Sequence, residues 1–282
     1  MSGTHSVQRR PAPALRPMID TYVGYRIVGP PGLHRGLPSR HLPLIVSIGE
    51  PIDVRAQTDP HQGPDRYRFV AGGLQARPAV IATPEVQEGV AIELTPLGCR
   101  SLLGLPAGAL WDTSVEAADV VGPPAFELWE RLQHAGDWPA RFAACDDVLG
   151  RLVASTDAPP PAPELSGAWA LLVGSGGTMG VATLAGRVGW SRRHLTARFT
   201  AELGLSPKLA ARVVRFERAT SLLRSPRRPA LAEVAAVCGY YDQPHLNRDF
   251  LEMAGCPPGE WLATELPSVQ DAGLAQAAGS VP

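Results

Sequence analysis

Residues 189–208 read "GWSRRHLTARFTAELGLSPK", and residues 239–260 read "GYYDQPHLNRDFLEMAGCPPGE". The second stretch repeats the outline of the first. Leu184, Ala185 and Gly189 match Val234, Ala235 and Gly239 at an offset of 50. Ser191, His194, Leu195, Phe199, Gly204 and Pro207 match Asp242, His245, Leu246, Phe250, Gly255 and Pro258 at 51. One residue has been added in the turn, and the spacing is kept on both sides of it. That is the mark of a duplicated supersecondary unit.

Each copy reads as a short helix, a tight turn and a second helix. Ala185 and Ala235 are small where two helices cross closely. Gly189 and Gly239 follow the first helix, where glycine enters the left-handed region at little cost. Ser191 and Asp242 are N-cap types that open the second helix. Leu195/Phe199 and Leu246/Phe250 stand at i and i+4 and face the core. This is a helix-turn-helix pattern, whose second helix can lie in a major groove. One copy is common in helical domains that never meet DNA. Two copies, joined by the long helix of "SPKLAARVVRFERATSLLRS" with Ser206 as cap and Pro207 at its first position, favour a DNA-binding domain.

Charge supports that reading. The chain of 282 residues carries a net −1, but residues 1–164 hold 14 Arg against 18 acids, and residues 165–282 hold 12 basic residues against 9 acids. An acidic module joined to a basic one suits a partner that is a polyanion. Lys208 is the single lysine; the Arg, Ala, Pro and Gly content points to a GC-rich bacterial genome.

The organisation follows from the punctuation. "ASTDAPPPAPEL" at 154–165 is a Pro-rich linker, since consecutive prolines neither continue a helix nor sit in a central strand. Residues 1–17 read as a disordered leader and 267–282 as a disordered tail. Between 18 and 153, "TYVGYRIV", "LPLIVSIG", "RYRFVAGG", "AVIAT" and "GVAIEL" are β-rich runs separated by turns, which predicts an antiparallel sheet or cupin-like barrel. Thr95 and Pro96 open a helix. "PPAFELWERLQHA" and "DWPARFAACDDVLGRLVAS" then predict a helical hairpin, with Phe126, Trp129 and Leu132 on one face and Phe142, Cys145, Leu149 and Leu152 on the other helix's face. Residues 166–266 are helical throughout. The fold class is therefore α+β: a sensor or dimerisation domain over 18–153 and an all-α tandem helix-turn-helix domain over 166–266.

Several classes are disfavoured. No apolar run reaches the roughly 18 residues of a membrane span, and the N-terminus has no continuous apolar segment of a secretory signal. Cys99, Cys145, Cys238 and Cys256 are scattered without C-x-x-C, so they read as free buried thiols in a reducing cytoplasm. No catalytic residue, metal site or cofactor is expected: P-loop, G-x-S-x-G and dinucleotide fingerprints are absent from the sequence. His34, His41 and His61 are the candidates for a metal in the β region, and they lack an H-x-H pair. A methyl-accepting repair regulator needs clustered cysteines near the N-terminus, and the first here is Cys99.

Residues 166–266 resemble the DNA-binding domain of AraC/XylS-family transcription regulators. "GYYDQPHLNRDF" followed by "GCPPGEW" is similar to that family's signature, and "GLSPKLAARVVRFERATSLL" to its connecting helix. "RGLPSRHLPLIVSIGEPI" with "ELTPLGCRSLLGLPAG" resembles the N-terminal domain of a bacterial, actinobacterial-type subset. The resemblance implies a cytoplasmic, nucleoid-associated regulator that binds promoter or operator DNA and works with RNA polymerase. It also implies a small-molecule effector at the N-terminal domain and a possible homodimer. The alternatives are an effector-independent regulator and a metal-dependent cupin-like enzyme fused to a DNA-binding domain.

The candidate contacts follow from the two second helices. With Leu195 and Phe199 inward, Arg193 and Thr196 are base readers, for guanine and for thymine. Ala197 shares that outward face; relatives often carry Arg there, so Ala197 removes one possible base contact. Gln243, Asn247 and Arg248 are the readers of the second copy, with Gln and Asn suited to adenine and Arg to guanine or phosphate. Arg192, Arg198, Lys208, Arg212, Arg215 and His245 are the backbone candidates. His194 and His245 otherwise read as structural side chains beside the core leucines. Asp242 and Asp249 flank the second helix and are expected to repel phosphate, so the arginine-rich first copy should supply more affinity.

Overall fold

The computed structural model describes residues 3–264. Ten strands form two antiparallel sheets. The larger sheet is built from β1 (Gly3–Arg9), β2 (Ile19–Val28), β4 (Leu42–Ser47), β7 (Phe69–Gly72), β9 (Val86–Leu94) and β10 (Ser114–Glu116) in the order β1-β2-β9-β4-β7-β10. The smaller contains β3 (Gly32–Gly36), β5 (Ile52–Ala56), β6 (Asp65–Tyr67) and β8 (Ala79–Thr83) in the order β3-β8-β5-β6.

A register irregularity between Ile19 and Tyr22, with period-two alternation beyond it, explains how β2 serves both layers. Ile19 and Tyr22 join the main core, and the Tyr22 ring stacks on Phe142 at 6.0 Å. Val23, Tyr25 and Ile27 turn to the opposite face, where Val23 and Tyr25 line a chamber closed by Ile52, Val54 and Ile81 of the smaller sheet. The larger sheet thus carries helices on one face and the smaller sheet on the other.

Those helices are α1 (Cys99–Leu103), α2 (Ala117–Val121), α3 (Pro123–His134) and α4 (Trp138–Ser155). Thr95 accepts a hydrogen bond from Gly98 N–H at 3.1 Å, but it caps a 3-10 turn over Pro96–Gly98 that leads into α1. Asp137 caps α4 by accepting from Ala140 N–H at 2.8 Å. The hairpin of α3 and α4 buries Phe142, Cys145 and Leu149. On α3 the inward face is Ala125, Leu128 and Leu132, whereas Phe126 is half-exposed. Of Phe126, Trp129 and Leu132, expected on one face, Leu132 is buried there and Phe126 is turned outward by its position on the helix.

The leader is also corrected. Residues Gly3–Arg9 are β1, paired along its whole length with β2, and a 3-10 turn over Pro13–Leu15 buries Leu15. Arg9 bonds Asp146 of α4 at 2.6 Å and Ala12 N–H donates to the same carboxylate at 2.8 Å, which ties the segment down. Seven backbone pairings and two anchors overcome a polar, Pro-containing composition. Residues 267–282, read as a tail, lie outside the described residues.

After α4 the chain crosses an extended stretch at 156–162 and enters α5 (Pro163–Gly174), α6 (Val181–Arg187), α7 (Arg192–Leu203), α8 (Pro207–Arg224), α9 (Leu231–Val237), α10 (Gln243–Ala254) and α11 (Pro258–Thr264). The main core runs without a break from the larger sheet through α4 and α5 into Leu184, Leu195 and Phe199. A second core gathers Phe216, Val234, Leu246, Phe250 and Trp261, and Leu37 of the β domain is buried in it.

Candidate DNA interface

Each helix-turn-helix unit is built by the same local bonds. Gly189 and Gly239 both adopt φ of +75°, and the amide of the next residue donates back to Ala185 and Ala235 respectively at 2.9 Å. Ser191 accepts from His194 N–H at 3.2 Å, and Asp242 accepts from His245 N–H at 2.8 Å. Gly204 and Gly255 close α7 and α10 in the left-handed region. The turn aromatic meets the helix histidine edge-on in both copies: Trp190 on His194 at 4.6 Å and Tyr240 on His245 at 5.2 Å.

On α7 the split between faces is complete. Leu195 and Phe199 are buried, while Arg192, Arg193, His194, Thr196, Ala197 and Arg198 are exposed. The guanidiniums of Arg192, Arg193 and Arg198 make no ion pair among the described residues. The helix therefore presents a cationic ridge with a threonine in its centre. On α10, Arg248 is exposed, and Gln243 and Asn247 are half-buried on the same side. Asn247 Oδ1 is buried without a hydrogen-bond partner among the described residues. His245 is half-buried, and its Nδ1 accepts a long bond from Tyr241 N–H at 3.4 Å.

The added residue in the second turn is Tyr241. Trp190 corresponds to Tyr240 and Ser191 to Asp242, which leaves Tyr241 without a counterpart, and it is 93% exposed at the head of α10. The change of offset between the repeats marks this position in the sequence, but nothing there reveals that the ring projects into solvent.

The connecting helix α8 differs from expectation. Arg212 donates through Nε at 3.1 Å and Nη2 at 2.7 Å to Asp249, and also bonds Glu252, both on α10. Asp249 is 2% exposed, so it faces α8 rather than phosphate. Arg215 donates to the carbonyl of Gly177 at 2.7 Å and lies over the Tyr240 ring at 5.6 Å. Both arginines, read as backbone contacts, are spent inside the molecule, tying α8 to the second unit and to the turn before α6. Lys208 is exposed at the start of α8.

The back of α7 is clamped to the β domain. Arg100 of α1 donates to both Glu202 oxygens, Nε at 2.6 Å and Nη2 at 2.9 Å. Gly204 passes so near Trp111 that a Cβ there would lie 2.5 Å from the Trp111 Cβ. Docking covers the C-terminal end of α7 and leaves the face of Arg192, Arg193 and Thr196 open.

The helix-turn-helix domain model matches residues 184–264. These residues are an AraC-type helix-turn-helix domain. The chain is accordingly a DNA-binding transcription regulator. ToxT from Vibrio cholerae O395 has a similar overall fold: 10% identity, 93% of this chain and 97% of that chain covered, TM-score 0.50. An AraC-type transcriptional regulator from Chromobacterium violaceum is 25% identical over 40% of this chain and 94% of its own, TM-score 0.33. The DNA-binding domain of AdpA, solved with a target DNA, is 26% identical over 36% of this chain and 92% of its own, TM-score 0.34. No curated protein matches the sequence. Among the described residues, no group of three or more His, Cys, Asp or Glu is placed to hold a metal, and no helix is long and apolar enough to cross a membrane.

Proposed function

We propose that α7 and α10 enter successive major-groove segments of one duplex, about 34 Å apart along its axis. The observation that carries this reading is the cationic ridge of α7, without an ion pair among the described residues and exposed on a helix whose opposite face is locked in the core. Arg193 and Thr196 read bases there, with Ala197 offering only a methyl. Arg192 and Arg198 meet phosphate, joined by Lys208. On α10, Gln243, Asn247 and Arg248 read bases, and Tyr241 adds an aromatic contact at the groove edge. His245 is a support for the turn. Arg212 and Arg215 are braces that hold the two readers at a set separation.

The β domain is the regulatory part. Its chamber of about 160 Å³ between the sheets, lined by Val23, Tyr25, Ile45, Val54 and Ile81 with Gln75, His41 and Glu93 at its rim, suits a small apolar effector. The hairpin of α3 and α4 is the surface offered to a second copy, and RNA polymerase is the partner through which bound protein acts. Catalysis has no part in this reading.

Genome-wide footprinting followed by binding of the recovered site tests it. One protein chain should protect a bipartite, asymmetric motif, with Arg193→Ala altering preference in one half and Asn247→Ala in the other. Loss of preference in a single half under both substitutions would show that only one helix reads DNA.

A further inference from the structure

A second, larger cavity of about 680 Å³ lies between the β domain and α8. Its walls carry five arginines, namely Arg9, Arg10, Arg40, Arg218 and Arg224, against three acids, Asp20, Glu93 and Glu217. The acids are occupied or weakened. Asp20 bonds His41 at 2.6 Å, and Glu217 takes Ser39 at 2.9 Å and Arg40 at 3.3 Å. Burial pushes the Glu93 carboxyl up towards its neutral form. Arg9 has Asp146 at 2.6 Å, and Arg224 lies over the Trp261 ring at 4.4 Å. Arg10, at the end of β1, and Arg218, on α8, are exposed and form no ion pair among the described residues.

Two guanidiniums without an ion pair among the described residues, one from each domain, therefore share a cleft large enough for a metabolite. A concave surface with an excess of one charge sign focuses its field and concentrates counter-ions. The packing of the domains brings like charges to one cavity, and a bound anion would relieve their repulsion. Guanidiniums favour planar oxyanions, which accept paired hydrogen bonds from them.

We propose that this cleft is a binding site for a small oxyanion with two or more negative charges, bridged by Arg10 of the β domain and Arg218 of α8. The class comprises phosphoryl compounds and polycarboxylates. The cleft adjoins the apolar chamber between the sheets, with Leu37, Ser39, His41 and Glu93 lining both, and its walls include none of the exposed residues of α7 and α10. It does not depend on how the protein reads DNA. Because the ligand would touch both domains, its binding and their docking reinforce one another.

Calorimetric titration of the full chain with inorganic pyrophosphate, and separately with citrate, tests the site, at fixed ionic strength with acetate as the monovalent control. Saturable binding of at least one of the two, absent with acetate, is expected; the one that binds tells phosphoryl from polycarboxylate ligands. Arg10→Ala and Arg218→Ala should each weaken it about tenfold or more, whereas the pair Arg192→Ala/Arg193→Ala should leave it unchanged. Both cleft positions are exposed, so the variants should melt like the parent without ligand. No saturable binding of either probe overturns the proposal. So does binding that survives either cleft substitution, or that is lost with the α7 pair, which would place the anion on the DNA-reading face.

Discussion

Arg193 and Arg212 carry the same side chain into opposite environments, and the difference predicts what each substitution does. Arg193 projects from α7 with no ion-pair partner among the described residues. Arg193→Ala should leave the melting temperature unchanged, lower affinity by about 1–3 kcal/mol and relax preference at one base pair, measured by competition binding with single-base variants. Arg212 is half-buried against a buried Asp249. Arg212→Ala strands that carboxylate, so a loss of stability on the order of 3 kcal/mol is expected in urea melts. The slope of log affinity against log salt should stay as it was, because no phosphate contact is lost. The four cysteines provide a different check. All are buried, and burial pushes the Cys99 thiol up to about 12. A maleimide at about pH 8 should label none of them in the native protein and all of them after unfolding, since the thiolate is the reactive form. The exposure of Arg193 and the burial of the cysteines were legible in the chain. The fate of Arg212 was not, because its partner lies on another helix.

Elements show how the duplicated unit tolerates difference. Gly189 and Gly239 share a φ of +75°, which an L side chain adopts at a cost of about 1–2 kcal/mol. Around Gly189 a Cβ would meet open space, but at Gly239 it would lie 2.5 Å from Thr178 Cγ2. Gly239→Ala should therefore destabilise more than Gly189→Ala in thermal melts; equal losses would mean that Thr178 moves aside freely. Caps, turns and core positions of both units are local patterns of short period, so the repeat revealed α6, α7, α9 and α10. Local patterns failed where the determinant was remote. β1 reads as a polar leader because its order comes from β2 and from Asp146. On α3, Phe126 gives way to Ala125 and Leu128 because the face towards α4 is set by how the hairpin closes.

At the scale of the molecule, the two domains share a continuous core and, among the described residues, two ion pairs, Arg100–Glu202 and Arg40–Glu217. The Arg100–Glu202 bridge is bidentate, with Glu202 nearly buried. Arg100→Ala should cost about 2–3 kcal/mol and increase hydrogen exchange at the C-terminal end of α7, leaving α10 unaffected. The continuous core predicts that the β domain and the first helix-turn-helix unit melt in one calorimetric transition. By itself, the order of residues determined that there are two helix-turn-helix units, where the second helix of each begins and ends, and which face of the first of these meets solvent. Capping, left-handed turns and i, i+4 pairing act over a few residues and are written where they act. Only the tertiary structure decided which arginines remain available to a polyanion. An arginine is occupied or free according to which acids and carbonyls lie within about 3 Å of it. For Arg212 those acids come from α10, for Arg100 from α7, and for Arg10 and Arg218 none arrives among the described residues.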